Sequence, residues 1–118
     1  MLDGERDLEL LLKTLNPNLY PERYSFAATS DLVLPPDAFA LVREQDGLTL
    51  IRPDSAGKWA RISLGVHSSL NAIGLTAELS RRLAGAGISA NVVAALNHDH
   101  FFVPWEQREE AFDLLRSA

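Results

Sequence analysis

Between Trp59 and the C-terminus the polarity pattern changes period three times, and the order of those changes limits the fold more than any other feature. Ile62, Leu64 and Val66 alternate with Arg61, Ser63 and Gly65, which reads as a strand with one apolar face. Ala72, Thr76, Leu79, Leu83 and Ala86 then share one helical face with Glu78 and Arg81 turned away, and Gly85 and Gly87 end the helix where a left-handed cap costs little. Ile88 to Leu96 is an apolar strand, Asn97-His98-Asp99 offers turn chemistry, and His100-Phe101-Phe102-Val103 returns as its hairpin partner. Pro104 to Ser117 reads as a last helix, with Phe112 and Leu115 inward, acids early and Arg116 late, as the helix dipole prefers. The order is β-α-β-β-α, one strand short of the ferredoxin-like β-α-β-β-α-β layout. An open apolar edge invites aggregation, so a strand of the first half, Leu48 to Arg52 or Tyr24 to Thr29, is expected to cover it.

The first half is less regular. Leu8, Leu11, Leu12 and Leu15 recur at helical spacing until Asn16-Pro17 stops them, and Tyr24 to Thr29 alternates bulky and small residues as a strand does. Pro35-Pro36-Asp37 is a plausible helix start, with Phe39, Leu41 and Val42 as a short apolar face and Gly47 as its end; Leu48 to Arg52 follows as a strand. Strand-helix-strand thus recurs at 24–52 and 59–96, as a diverged duplication would leave it. Pro53 to Lys58 is the one joint in the composition, and it is short. The expected architecture is α+β, a ferredoxin-like β-α-β-β-α sheet with helices on one face (57–118) interlocked with a smaller N-terminal lobe (1–56).

Composition excludes several function classes. With 118 residues, 47% of them hydrophobic, the chain can bury one core or two very small packed lobes. A net charge of −5 with eleven scattered basic residues gives no footprint for a phosphate backbone, so nucleic acid is not an expected partner. The absence of cysteine removes disulfides, thiolate nucleophiles and sulfur-ligated metals. Met1 to Asp7 lacks the basic region and apolar stretch of a secretory signal, and no apolar run reaches the roughly 20 residues that span a bilayer. A cytoplasmic protein without membrane contact is expected.

Three chemical readings compete on the residues themselves. His98 and His100, one residue apart, with His67 as a third nitrogen, have a spacing compatible with metal ligands, but zinc sites need three or four ligands with outer support. His67-Ser68-Ser69 with Asp99 has the composition of a hydrolytic triad without a nucleophile-elbow motif; Ser68 or Ser69 serves equally as the cap of a helix starting near Leu70. A ferredoxin-like enzyme of the acylphosphatase kind would pair Asn91 with an arginine in the loop after the first strand, and no arginine or lysine lies between Val66 and Glu78. Trp59, Trp105, Phe101 and Phe102 read as core or interface. The expectation is no catalytic residue, no metal and no cofactor.

The stretches Val66 to Thr76, Gly87 to Ala94 and His98 to Pro104 resemble a bacterial family of short tandem ACT-domain proteins, and Leu12 to Pro17 with Glu44 to Leu50 resemble its more degenerate first half. The resemblance implies a regulatory module that binds a small effector, commonly an amino acid, between paired domains, and hence a homodimer. The binding residues it implies are His67, Ser68, Ser69, Leu70, Ile73 and Gly74 in the loop after the first strand, and Asn91, Val92 and Val93 at the start of the second. Where many effector-binding loops of the family carry an acidic residue and Pro-Gly, this chain has His67-Ser68-Ser69. The alternatives are an interaction module that has lost its pocket, or a weak hydrolase.

Overall fold

The computed structural model describes residues 4–116; Met1 to Asp3 at the N-terminus and Ser117, the last residue of the expected C-terminal helix, lie outside the described residues. Asp7 opens the first helix, its carboxylate accepting the Leu10 N–H at 3.2 Å, and α1 runs Leu8–Lys13. Asn16, at φ 48°, turns the chain out of the helix into strand β1, Pro17–Thr29. The other strands are β2 (Ala40–Glu44), β3 (Gly47–Pro53), β4 (Trp59–Leu64), β5 (Asn91–Ala94) and β6 (Asp99–Pro104). Helix α2 spans Leu75–Gly85, and α3, Arg108–Arg116, follows a 3₁₀ turn at Trp105–Gln107.

All six strands form one antiparallel sheet in the order β2-β3-β1-β4-β6-β5. The missing ferredoxin-like strand is β1, which enters from in front of the layout instead of behind it. Pro17 to Leu19 and then Arg23 and Tyr24 pair with β4, while Tyr24 to Thr29 pair with β3, so this one strand joins both halves. It begins seven residues before the expected Tyr24. Pro21 disguised it: lacking an N–H, Pro21 falls where the register shifts between Leu19 and Arg23, as prolines in strands do at irregularities.

The helix expected from Pro35 to Gly47 is not there. Residues 40–44 are β2, closed onto β3 by a tight turn in which Glu44 faces Gly47, and the Asp46-Gly47 dipeptide is the hairpin signal that the prolines outweighed. The first half therefore holds three strands after α1, and strand-helix-strand is found in the second half alone.

Alternation on the strands gives the sheet two cores. On one face Ala60, Ile62, Leu64, Phe101 and Val103 meet Leu79 and Leu83 of α2, Ala111 and Leu115 of α3 and Leu11 of α1. The other face carries Phe102, wholly buried, with Tyr24, Phe26 and Phe39 edge-on to it at 5.2–5.5 Å between ring centres. The C-terminus of α2 ends as its glycines suggest: with Gly87 at φ +74°, the Gly87 N–H bonds to Ala84 O and the Ile88 N–H to Leu83 O.

Candidate functional site

Between β4 and α2 the chain crosses ten residues without regular structure, and local bonds fix their course. Val66 N–H bonds to Leu15 O, Glu5 exchanges bonds with His67 O and Ser69 N–H, and Ala72 N–H returns to Ser69 O, with Ser69 Oγ accepting from Asn71 N–H at 3.0 Å. The serine thus closes a turn inside the loop instead of capping the helix. The helix cap is Gly74, at φ +99°, with no side chain to bond the first amides of α2. A helix leaves its first N–H groups without backbone partners, and these carry the positive end of its dipole. Glu78, the acid of the first turn, accepts from Arg81 and Arg82, which hold its carboxyl below the usual range.

In front of these amides lies a cavity of about 140 Å³ lined by Ser68, Ser69, Leu70, Ala72, Gly74, Leu75, Thr76, Ala77, Ala94 and Asp99. Asp99 begins β6 and is 8% exposed. Ser68 Oγ donates to its carboxylate at 3.2 Å. Burial raises the Asp99 pKa, against the opposing pull of the Ser68 hydroxyl and of His98 nearby. The cavity is therefore lined both by the first turn of α2, whose leading N–H groups lack backbone partners, and by one buried carboxylate.

Of the residues expected at a site, Ser68, Ser69, Leu70 and Gly74 come together here. Ile73 points to solvent at 86% exposure, and His67 lies beside the cavity with Nε2 buried and without a hydrogen-bond partner among the described residues. Asn91 is exposed on the edge strand β5, Val92 packs into the helix-side core and Val93 against the opposite face; the end of β5, at Ala94, is what reaches the cavity. The sequence pattern brought Asp99 forward only as the orienting acid of a triad and not as a binding residue, because Asn97-His98-Asp99 reads as turn chemistry. The signal for a buried role was position: two residues before Phe101 on a strand, it falls on the same inward face.

The other chemistries do not assemble. Ser68 donates to Asp99 directly, with no histidine between them, so the serine-histidine-aspartate relay does not form. His98 and His100 both line a second cavity, as their spacing suggests, but Arg61 lies 3.5 Å from His100 Nδ1, which opposes a metal cation.

The comparisons with known proteins agree with this architecture. An ACT-domain family model matches residues 54–117 and a second ACT-domain model matches residues 3–64. The two overlap on the span holding β4, the strand flanked by β1 on one side and β6 on the other. A protein of unknown function from Vibrio cholerae, described as a possible transport protein, has a solved structure that superposes with a TM-score of 0.79 at 39% identity over 92% of each chain. A structure from Agrobacterium tumefaciens shares the fold at 20% identity, with a TM-score of 0.67 over 86% of each chain. Among curated proteins no match is found.

Proposed function

The chain belongs to the ACT-domain family, and on that premise we propose that it is a non-catalytic regulatory module whose effector is a small α-amino acid held in the cavity at the head of α2. ACT domains are in general regulatory modules that bind small ligands, and the cavity suits one class of them. The observation that carries the reading is that the first turn of α2 and the Asp99 carboxylate line the same cavity. A carboxylate is stabilised by the open amides of Leu75, Thr76 and Ala77; an ammonium group is stabilised by Asp99, whose desolvation it relieves. An α-amino acid carries both charges a few bond lengths apart.

Asp99 would then do from the hairpin what an acidic loop residue does in other members, beside Ser68 of the loop. Size narrows the effector further. At about 140 Å³ the cavity is below the roughly 300 Å³ at which sites for drug-sized ligands begin, so a short side chain such as that of glycine, alanine or serine fits the reading better than an aromatic one. Residues 57–118 form the ACT domain proper in this account and 1–56 its degenerate companion lobe, with β1 shared between them. A homodimer completes the picture, since among the described residues β2 and β5 leave both edges of the sheet without a partner strand. Effector binding would shift the balance of that assembly.

A thermal-shift screen of the purified protein against the common amino acids tests this. A ligand that binds only the folded state at a hundred times its Kd stabilises by about 2.7 kcal/mol, which for a chain of this length raises Tm by about 10 °C. A saturable rise with a small amino acid, absent with its decarboxylated and deaminated analogues, supports the zwitterion reading. A flat screen transfers the weight to an interaction module without a ligand.

A further inference from the structure

The face of the sheet away from the helices carries a second cavity, about 440 Å³, between the start of β1 and the middle of β4, with Arg61 as its central charge. It shares no lining residue with the first cavity: on β6, Asp99 lines the first and its neighbour His100 the second.

Arg61 has contacts on both its edges and its faces. Its guanidinium lies 4.0 Å from the ring centre of Tyr20 and 4.4 Å from that of Phe39. Nε donates to Ser63 Oγ at 3.2 Å and one terminal nitrogen to the Tyr24 hydroxyl at 3.1 Å. One proton arrangement satisfies the remaining contacts: His100 Nδ1 carries no proton and accepts from the Ser63 hydroxyl at 2.6 Å, with Arg61 at 3.5 Å. Burial and the Arg61 charge bring the His100 pKa down to about 4, so the ring is neutral near pH 7 and too weak a base to activate Ser63.

A half-buried cation ordinarily has a carboxylate beside it. No acidic side chain lines this cavity, and Arg61 makes no ion pair among the described residues, in a chain whose net charge is −5. Two of its neighbours, Tyr24 and Ser63, use its inner donors and leave others directed at the cavity, whose rim adds the amides of Asn16 and Asn18. The volume lies within the roughly 300–1,000 Å³ of small-molecule sites, more than an inorganic ion needs.

We infer that this cavity is a second ligand site, which takes a small organic anion by its carboxylate or phosphate group on Arg61. The inference is independent of the amino-acid reading, since it uses the opposite face of the sheet and none of the same side chains.

The test is an NMR titration of the ¹⁵N-labelled full chain with sodium succinate and, separately, sodium phosphate, each against sodium chloride at equal ionic strength. The expected result is a saturable shift of the Arg61 Nε resonance and of the Asn18 and His100 amides with at least one of the two, weakened at least about tenfold in Arg61→Gln and less in Arg61→Lys. Saturation by succinate alone assigns a carboxylate ligand, and by phosphate alone a phosphate. The inference is overturned if both anions act only as chloride does, or if Arg61→Gln binds as well as the parent. Should Arg61→Gln fail to fold, the Nε resonance of the unmodified chain decides by itself. Shifts confined to Leu75, Thr76 and Ala77 would place the anion at the first cavity and also reject it.

Discussion

Replacing Asp99 by asparagine should separate ligand binding from folding. Asparagine has nearly the same shape and can still accept from Ser68, but it carries no charge for an ammonium group. A hydrogen bond to a charged partner is worth about 1.5–3 kcal/mol, so effector affinity should fall roughly 10- to 150-fold. Stability should move the other way. Burial raises the Asp99 pKa above its ordinary 3.8, so the folded state binds more protons than the unfolded state between those two values. The contribution of this group to stability is therefore fully present below the ordinary value and is lost as pH rises through the folded one. Asp99→Asn removes that loss. At pH 7 the ligand-free variant should be at least as stable as the parent in urea unfolding, and the difference should shrink towards zero as the pH approaches 4. Calorimetric titration with the effector supplies the other half. A variant that is less stable at pH 7, or that binds the amino acid undiminished, would refute the view of Asp99 as a carboxylate kept under desolvation for a ligand.

Other consequences follow from the same geometry. Gly74→Ala forces a side chain into φ +99° and brings its Cβ within 3.2 Å of Leu8 Cδ2; this should cost about 1–3 kcal/mol, read as a fall in Tm of about 4–12 °C. Phe102→Ala empties the centre of the aromatic face and should cost about 3–5 kcal/mol in chemical unfolding, whereas Ile73→Ala, at a position 86% exposed, should stay within about 0.5 kcal/mol of the parent. The His100 ring, in an NMR pH titration, should stay neutral from pH 7 down to about 5 and titrate near 4; since its folded pKa lies below the ordinary 6.5, its contribution to stability is lost as pH falls through the folded value, and His100→Gln should reduce that loss.

The second half of the chain was legible because its signals are local. Strand alternation at Ile62 and Leu64, the helical spacing of Leu79 and Leu83 and the Gly87 cap each depend on neighbours a few residues away, and the structure has all of them. The first half was misread where tertiary contacts outweigh local ones. Prolines that read as a helix start precede a hairpin, because Phe39 and β2 are needed over Phe102 on the second face of the sheet. The same packing hid Arg61 and Ser63, whose alternation with apolar neighbours reads as a solvent face until Phe39 and Tyr20 are seen to flank the arginine. Of the cavity's lining, Ser68, Ser69, Leu70 and Gly74 were named by resemblance, while Asp99 was not, since what brings it to the head of α2 is the pairing of β6 with β4 and β5.

The central claim is that an amino-acid effector lies between the first amides of α2 and the Asp99 carboxylate. Heteronuclear NMR with the amino acid that gives the largest thermal shift examines this at atomic sites. The account predicts that the Leu75, Thr76 and Ala77 amides and the Asp99 side-chain carboxyl carbon move together with one saturation curve. Shifts that saturate at the Asn91 end of β5 or around Arg61, with the α2 amides unmoved, would contradict it.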